Sequence, residues 1–454
     1  MADQDAGTRR THRVTRATLV LVSALLIGSG GGAESAGVAV SNSPLLPLTE
    51  RSTAAPELTP TAATPRCVAH RGRPAATLDR LFANGHRQQL GVLGGFDEPT
   101  VYTLGPGRQV WMLHDAYLDL DRSGTTYPEQ SYLHNLALLV ETGLQQLCVT
   151  PLYQRSANGS EPIDFEPGPL DSADHRRRTM HRWYWALGGG LDADGNLTVL
   201  WAEMVEDRGP IDQRGPLDGI TRHPERVWRA VYDPTTLARL SFTPAADPAI
   251  LPMYGTAVVD DPVAGFTYLF GNSLDRNLTR SGGYQAGPHP GTFTYLARVP
   301  LGRYESPPQY WTGDGWGNER AAAQPIHHDG WVEWLMQPRL IDGRWVSITK
   351  VDAWWSPRWV VQVADDPTGP WTIATEELLH VPSLGRNTTS PLPDAMRQAT
   401  YTPVIVDSWS SADRLTVVMS QNGWDWHAVC MAAHTEPFYW PEILAIDLSG
   451  STRT

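Results

Sequence analysis

The stretch GGFDEPTVYTLGPGRQVWMLHDAYLD, residues Gly94 to Asp119, contains two runs rich in Val, Tyr and Trp on either side of Gly105-Pro106-Gly107. Such residues favour strands, and glycine and proline favour turns, so the stretch predicts an antiparallel β-hairpin. Asp97 and Asp115 each lie nine residues from Pro106. In an unbulged hairpin they would face each other, with Cβ atoms about 4.5–5.5 Å apart.

The second run of this hairpin recurs along the chain. Related stretches, each starting with a turn residue and ending with a polar residue, begin 70 to 88 residues apart at Gly107, Gly195, Gly265, Gly343 and Asp413. Stretches with helical periodicity are nearly absent. The spacing fits propeller blades with long loops, so we predict an all-β, five-bladed β-propeller. A β-sandwich followed by a second β-domain is the alternative, because counting strands does not prove that a ring closes.

The beginning of the 454-residue chain resembles an export signal, since basic residues precede the short apolar run 17–27 and small residues follow it. We predict a signal peptide at residues 1–36, a flexible Ser/Thr/Pro/Ala-rich linker at 37–66 and the propeller domain at 67–454. An uncleaved anchor is the alternative to cleavage. We expect a monomer in the secreted or cell-envelope fraction, with no membrane span in the mature protein.

Charge and cysteine content narrow the classes of partner and cofactor. The net charge of −13 excludes a nucleic-acid partner, because phosphate binding needs a basic face. The three cysteines, Cys67, Cys148 and Cys430, predict at most one disulfide, whose pairing the sequence leaves open, and they lack metal-site spacing. We predict no metal site and no cofactor, with a structural calcium ion as the one alternative.

Two carboxylates that face each other destabilise a sheet unless a cation, a shared proton or a reaction justifies them. Carboxyl groups about 5–9.5 Å apart are the acid and base, or the acid and nucleophile, of glycoside hydrolysis. Asp97 and Asp115 are therefore the candidate catalytic residues, and Glu203, at the end of the second repeat, is a substitute for the acid. The alternatives are a bulge that separates the two aspartates and a calcium ion held between them.

Residues at equivalent places in the other repeats predict a sugar-binding surface. Polar residues end the repeats as Asp115 does, and aromatic residues occupy positions close to that of Asp97. A symmetric propeller would bring both sets to one face, where rings stack on sugars and polar groups orient hydroxyls. The predicted substrate-binding residues of this kind are Trp185, Tyr254, Asn272, Lys350, Tyr401 and Gln421.

Several of these stretches resemble a known family. DEPTVYTLGPGRQVWMLHDAYLD, HNLALL, YGTAVV and FTYLFG are similar to the pattern of secreted actinobacterial five-bladed propellers of formerly unknown function, some related members of which are endo-D-arabinanases. The resemblance covers most of the chain after about Leu81. It implies that Asp97 and Asp115 face the central pocket and that Asn135 contacts sugar. His114 stands where glycine is usual and Ala116 where threonine is usual, so the surroundings of both carboxylates differ from the pattern.

The sequence therefore favours an exported glycoside hydrolase that acts on a cell-wall or extracellular polysaccharide, with an arabinan as the substrate that the resemblance implies. The alternative is a non-catalytic propeller of the cell envelope that binds a glycan or calcium.

Overall fold

The structure is a computed structural model, and it describes residues 58–70, 72–83, 93–118, 131–159, 161–168, 180–207, 222–250, 252–272, 293–327, 337–350, 358–374, 379–380, 398–423 and 439–448. These residues belong to one compact unit. The predicted signal peptide, residues 37–57 of the predicted linker and Cys430 lie outside the described residues. The all-β prediction is confirmed, because strands dominate and the described part has a single α-helix, α1 (Pro74–Ala83).

The first two sheets carry the hairpin and the repeat that follows it. The first contains β1 (Thr61–Ala62), β2 (Arg66–Ala69), β3 (Leu93–Gly105), β4 (Arg108–Leu118), β5 (Ser131–Thr142), β6 (Gln146–Arg155) and β7 (Pro162–Ile163), with the order β1-β6-β5-β4-β3. The second contains β8 (Met180–Leu191), β9 (Leu197–Asp207), β10 (Arg222–Tyr232) and β11 (Arg239–Pro244) in chain order.

Three further antiparallel sheets follow along the chain. The third contains β12 (Met253–Asp261), β13 (Phe266–Asn272), β14 (Thr294–Pro300), β15 (Gln309–Trp311), β16 (Trp316–Gly317) and β17 (Pro325–His327). The fourth contains β18 (Arg339–Ile341), β19 (Arg344–Lys350), β20 (Arg358–Ala364), β21 (Thr372–Ile373) and β22 (Leu379–His380). The last contains β23 (Gln398–Ile405), β24 (Arg414–Gly423) and β25 (Glu442–Asp447).

The arrangement is a β-propeller. Each predicted repeat is the second strand from one edge of its sheet, namely β4, β9, β13, β19 and β24. Four of the sheets contain a four-stranded antiparallel meander, which is the unit of a propeller blade. Glycine is required at the turn before β4, because Gly107 has a φ of 71° and a Cβ there would lie 2.4 Å from the Thr142 carbonyl oxygen.

Apolar side chains fill the spaces between neighbouring sheets. Trp201 lies in the cluster shared by the first and second sheets, and Tyr254 lies in the cluster shared by the second and third. Trp345 packs between the third and fourth sheets. Trp440 joins the last sheet to the first, where it contacts Phe96 at a ring separation of 5.6 Å. Packing between sheets, and not within one central core, therefore holds the domain together.

Helix α1 covers part of the interface between the last sheet and the first. Leu78, Leu81 and Phe82 recur at helical spacing and are buried against the cluster that contains Trp440. The Asp79 carboxylate accepts a 2.9 Å hydrogen bond from the backbone of Ile443. The sequence analysis did not predict this helix, because three helical turns are a weak signal in a chain of strands. Among the described residues, no helix has the length and apolar character needed to cross a membrane.

The boundary between linker and domain lies upstream of the predicted one at Cys67. Leu58 forms a β-bridge with Arg239, and β1 pairs with the edge of β6. The edge strand leaves backbone groups unpaired, and this short segment satisfies them. Residues 58–66, predicted as linker, thus belong to the folded domain.

Cys67 and Cys148 form a disulfide between the neighbouring strands β2 and β6. We expect Cys67→Ser to lower the free energy of unfolding by about 2–4 kcal/mol, because the bond links residues 81 apart in sequence and so restricts the unfolded chain. Urea denaturation of the single and double Cys→Ser variants measures this loss. One bond predicts that Cys148→Ser and the double variant lose the same amount as Cys67→Ser, whereas additive losses would contradict it.

Candidate functional site

The β3–β4 hairpin has the predicted register close to its turn, but not at Asp97 and Asp115. Val101 lies opposite Trp111, as a turn centred on Pro106 requires. The register then shifts between Thr100 and Asp97, so that Asp97 lies opposite His114 and not opposite Asp115. The predicted cross-strand pair of aspartates is therefore wrong. The physical reason is a bulge, which inserts an extra residue into one strand and rotates the side chains that follow.

Two residues at this bulge have unusual backbone conformations. Glu98 has a φ of 40° and Asp115 a φ of 39°, in the left-handed region that non-glycine residues rarely occupy. Asp115 also forms no ladder pair with β3 or β5, although its neighbours do. Strained backbone of this kind is concentrated at functional sites.

The Asp115 carboxylate lies among donors from two sheets. Its Oδ1 atom is 3.3 Å from the Nδ1 of His134 on β5 and accepts a 3.3 Å hydrogen bond from the indole N–H of Trp185 on β8. Its side chain is 17% exposed, so solvent reaches it. These contacts favour the ionised form of the Asp115 carboxylate, which belongs to the first sheet, and they link it to the second sheet.

Asp97 is the most buried member of the site. Its Oδ2 accepts a 2.5 Å hydrogen bond from the hydroxyl of Tyr401, and its Oδ1 has no hydrogen-bond partner among the described residues. The pKa of Asp97 is raised well above its ordinary value, chiefly by burial and further by the charges of Glu98 and Asp115, against hydrogen bonds from Tyr401 and Tyr439. The two aspartates therefore interact electrostatically although they do not face each other across the hairpin.

Asp164, which follows β7, is a third carboxylate of this group. Its Oδ1 accepts a 2.8 Å hydrogen bond from the backbone N–H of His134. The pKa of Asp164 is raised to about 6, because burial and, to a smaller extent, the charge of Asp115 raise it more than His134 and the backbone of Asn135 lower it. Sequence reasoning missed Asp164 because no repeat contains it. The only signal was an acid between Ile163 and Phe165, immediately after a short apolar run.

His114, which stands where glycine is usual in the propellers that the sequence resembles, is held by contacts at both ring nitrogens. Its Nε2 lies 2.9 Å from the Ala186 carbonyl oxygen, which only accepts, so this nitrogen carries a proton. Its Nδ1 lies 2.9 Å from a carboxylate oxygen of Glu98. His114 thus connects Glu98 of the first sheet to Ala186 of the second. It does so directly beside Asp97, which lies opposite it in the hairpin.

Aromatic rings surround the three carboxylates. His114 stacks on Trp185 at 5.2 Å, and His134 stacks on Trp183 at 4.7 Å. Tyr132 contacts His134 edge to face at 4.9 Å and is 39% exposed. Flat rings beside carboxylates are the groups that contact sugar faces and orient sugar hydroxyls.

Glu203 does not join this group. It lies opposite Tyr184 on β8, whereas Trp185 lies opposite Ala202, so Glu203 and Trp185 project from opposite faces of the sheet. Its Oε1 pairs with Arg182 and its Oε2 accepts a 2.8 Å hydrogen bond from Trp228. The structure therefore contradicts the prediction that Glu203 substitutes for the acid, because its carboxylate is held elsewhere.

Asn135 is wrong as a predicted sugar contact. It is 0% exposed. Its Nδ2 donates to the carbonyls of Glu166 and Tyr184, and its Oδ1 accepts from the Glu166 backbone N–H. All of its hydrogen-bonding capacity is used inside the protein, so it fastens the first sheet to the second.

The other predicted substrate-binding residues divide into two groups. Trp185 and Tyr401 contact the aspartates as described. Tyr254, Asn272 and Gln421 are each no more than 2% exposed, and Gln421 donates to Glu442 at 2.9 Å. Burial in the packing between strands leaves these three no surface for a sugar, which corrects their prediction. The side chain of Lys350 lies outside the described residues.

No metal-binding group was found in the described part of the chain, that is, no set of three or more His, Cys, Asp or Glu side chains that could hold one ion.

Solved structures of other proteins are similar to this chain. A "putative hydrolase" from Bacteroides ovatus ATCC 8483 is 14% identical, with a TM-score of 0.56 over 84% of this chain and 94% of that one. An α-L-arabinofuranosidase from Podospora anserina, in complex with cellotriose, is 10% identical, with a TM-score of 0.37 over 86% and 96%. A family-43 β-xylosidase/α-arabinofuranosidase from a compost metagenome is 12% identical, with a TM-score of 0.39 over 79% and 91%.

No curated protein matches the sequence. A family of domains of unknown function, DUF5005, matches residues 79–446, which include every strand of the propeller from β3 onward except the final residue of β25. The chain belongs to the DUF5005 family.

Proposed function

We propose that this protein is an exported glycoside hydrolase that acts on a cell-wall or extracellular polysaccharide. The observation that carries the proposal is the group of three interacting carboxylates, Asp97, Asp115 and Asp164, beside stacked aromatic rings. Glycoside hydrolysis needs one protonated and one ionised carboxyl group at neutral pH, and environments that separate pKa values identify such groups.

The surroundings of each carboxylate suggest its role. Asp115 receives hydrogen bonds that favour its charge, so it acts as the base that activates water or as the nucleophile. Asp164, with a pKa of about 6, donates its proton to the leaving glycosidic oxygen as the C–O bond breaks. Asp97, more deeply buried, keeps the charge of the group low and is the second candidate for the acid.

Contacts between the sheets support a five-bladed ring. β3 contacts β8, β8 contacts β12 and β12 contacts β18. β19 contacts β23, and β23 and β24 return to β3. We infer five blades from this closed order, with three described strands in the last one.

The substrate and cellular location complete the proposal. An arabinan is the first substrate to test, because the sequence resembles propellers related to endo-D-arabinanases. Export follows from the predicted signal peptide at residues 1–36, and the protein is proposed to act as a monomer without a cofactor. Incubation with arabinan, arabinogalactan and other actinobacterial wall polysaccharides, followed by a reducing-end assay, tests cleavage. Binding without new reducing ends would replace the proposal with a glycan-binding function.

We expect the replacement of Asp97 or Asp115 by Asn to lower activity without unfolding the protein. Asp97→Asn and Asp115→Asn should each lower the cleavage rate by at least about 10²–10⁴-fold, the usual contribution of acid–base assistance. Because the folded-state pKa of Asp97 is raised, its ionisation opposes folding as pH rises towards that value. Asp97→Asn should therefore melt at the same temperature as the parent protein or higher at pH 7.

Asp447→Asn is the matched control for these variants, since Asp447 is 63% exposed and pairs with Arg414 on the surface. It should cleave and melt as the parent protein does. A calcium site predicts the opposite pattern, in which both site variants melt lower and a chelator destabilises the parent protein. Normal cleavage by both site variants would contradict the proposed roles.

The pH dependence of cleavage distinguishes the two candidate acids. If Asp164 donates the proton, kcat/KM should fall as pH rises through about 6, where Asp164 loses its proton. Asp164→Asn should abolish that descending limb together with most of the rate, while its amide oxygen still accepts the hydrogen bond from His134. If Asp164→Asn cleaves at the full rate and its kcat/KM still falls near pH 6, the acid would be Asp97 and not Asp164.

A further inference from the structure

A cavity of about 240 Å³ lies between β3, β8, β12 and β18, and its lining does not include Asp97, Asp115 or Asp164. Its lining includes Thr100, Thr103, Gly190, Asp260, Arg339 and Asp407. Thr103 follows Asp97 along β3, and Gly190 follows Trp185 along β8. At about 3.3 Å per residue, Thr103 is roughly 20 Å further along the strand than Asp97. The exposed Asp407 at its rim shows that the cavity reaches solvent.

Arg339 contributes a buried positive charge to this cavity. Arg339 is 8% exposed. Its Nη1 donates a 2.8 Å hydrogen bond to the Pro338 carbonyl. Among the described residues, no hydrogen bond or ion pair involves its Nε or Nη2. Burial lowers the pKa of Arg339, against the nearby Asp407 and Tyr102, so the cation is incompletely compensated.

The unoccupied donors of Arg339 have a defined shape. Nε and Nη2 form one edge of the planar guanidinium, and two parallel N–H groups of this kind match the two oxygens of a carboxylate. The Tyr102 hydroxyl, which also lines the cavity, already donates to the Leu187 carbonyl. Arg339 is therefore the donor available to an anionic ligand.

The opposite wall suits hydroxyl groups. Asp260 accepts a 2.5 Å hydrogen bond from Thr267 through Oδ1, and its Oδ2 lies near Gly190. A Cβ at Gly190 would lie 3.6 Å from that oxygen and 2.8 Å from the Tyr304 hydroxyl, so glycine keeps this space open. The Oδ2 of Asp260 therefore remains as an acceptor for ligand hydroxyls.

We propose that this cavity is a second binding site, which takes a small hydroxylated carboxylate such as a sugar acid. Its carboxylate would pair with the Nε and Nη2 of Arg339, and its hydroxyls would contact Asp260. Water occupies about 30 Å³ per molecule, so a cavity of about 240 Å³ has room for one sugar-acid ring. The site does not depend on the proposed hydrolysis, because it lies at the other end of the inner strands.

Calorimetric titration of the full chain with glucuronate and with glucuronamide tests the proposal. The two probes differ only in the charged group, so glucuronate should bind at least tenfold more tightly. Arg339→Gln should abolish this preference, and Arg339→Lys should weaken glucuronate binding, because an ammonium lacks the paired donors. Arg303→Gln, which removes a surface guanidinium that is 47% exposed, is the matched control and should bind as the parent protein does.

Equal affinity for the two probes, or glucuronate binding unchanged in Arg339→Gln, would overturn the proposal. A crystal of the parent protein soaked in glucuronate provides a measurement that does not rely on a variant folding. The proposal requires carboxylate density within hydrogen-bond distance of Nε and Nη2, and density for water alone at that edge would refute it.

Discussion

The cost of burying carboxyl groups beside a further negative charge is the constraint on which the site depends. Burial is the largest cause that raises the pKa of Asp97 and of Asp164, and the charge of Asp115 raises both further. A folded chain tolerates such a group only if the surrounding structure fixes it. Here the bulge at Glu98, the left-handed backbone of Asp115 and the hydrogen bonds from Tyr401 and Trp185 do so. Carboxylates that are costly to ionise retain protons at the pH where a glycosidic oxygen needs one.

The closure of the propeller positions these groups. Asp97 and Asp115 come from the first sheet, Tyr401 comes from the last and Trp185 from the second. The packing of Trp440 against Phe96 holds the last sheet against the first. A loss of closure would therefore separate Tyr401 from Asp97 and remove a hydrogen bond that favours the ionised form of Asp97. Stability of the ring and chemistry of the site are linked through this interface.

Much of the architecture could be predicted from the sequence, because turn residues and apolar runs are local signals. The turn at Gly107 and the register at Val101 followed from spacing alone. The bulge that displaces Asp97 could not be predicted, since it depends on contacts from Thr402 and Ser420, both more than 300 residues away. Asn135 shows the converse error, because its amide looked available in the sequence and is consumed by backbone groups of other elements. Residue type indicated that carboxylates and aromatic rings lie together here, and it did not indicate which of the predicted side chains reach that place.

The most direct test of this account is a ¹³C NMR titration of the aspartate carboxyl groups in the folded protein. The account predicts that Asp164 titrates near pH 6 and that the pKa of Asp97 lies well above its ordinary value. It also predicts that Asp115→Asn lowers both of these pKa values, because it removes a neighbouring negative charge. Ordinary pKa values for Asp97 and Asp164, unchanged by Asp115→Asn, would contradict the claim that the three carboxylates form one interacting group.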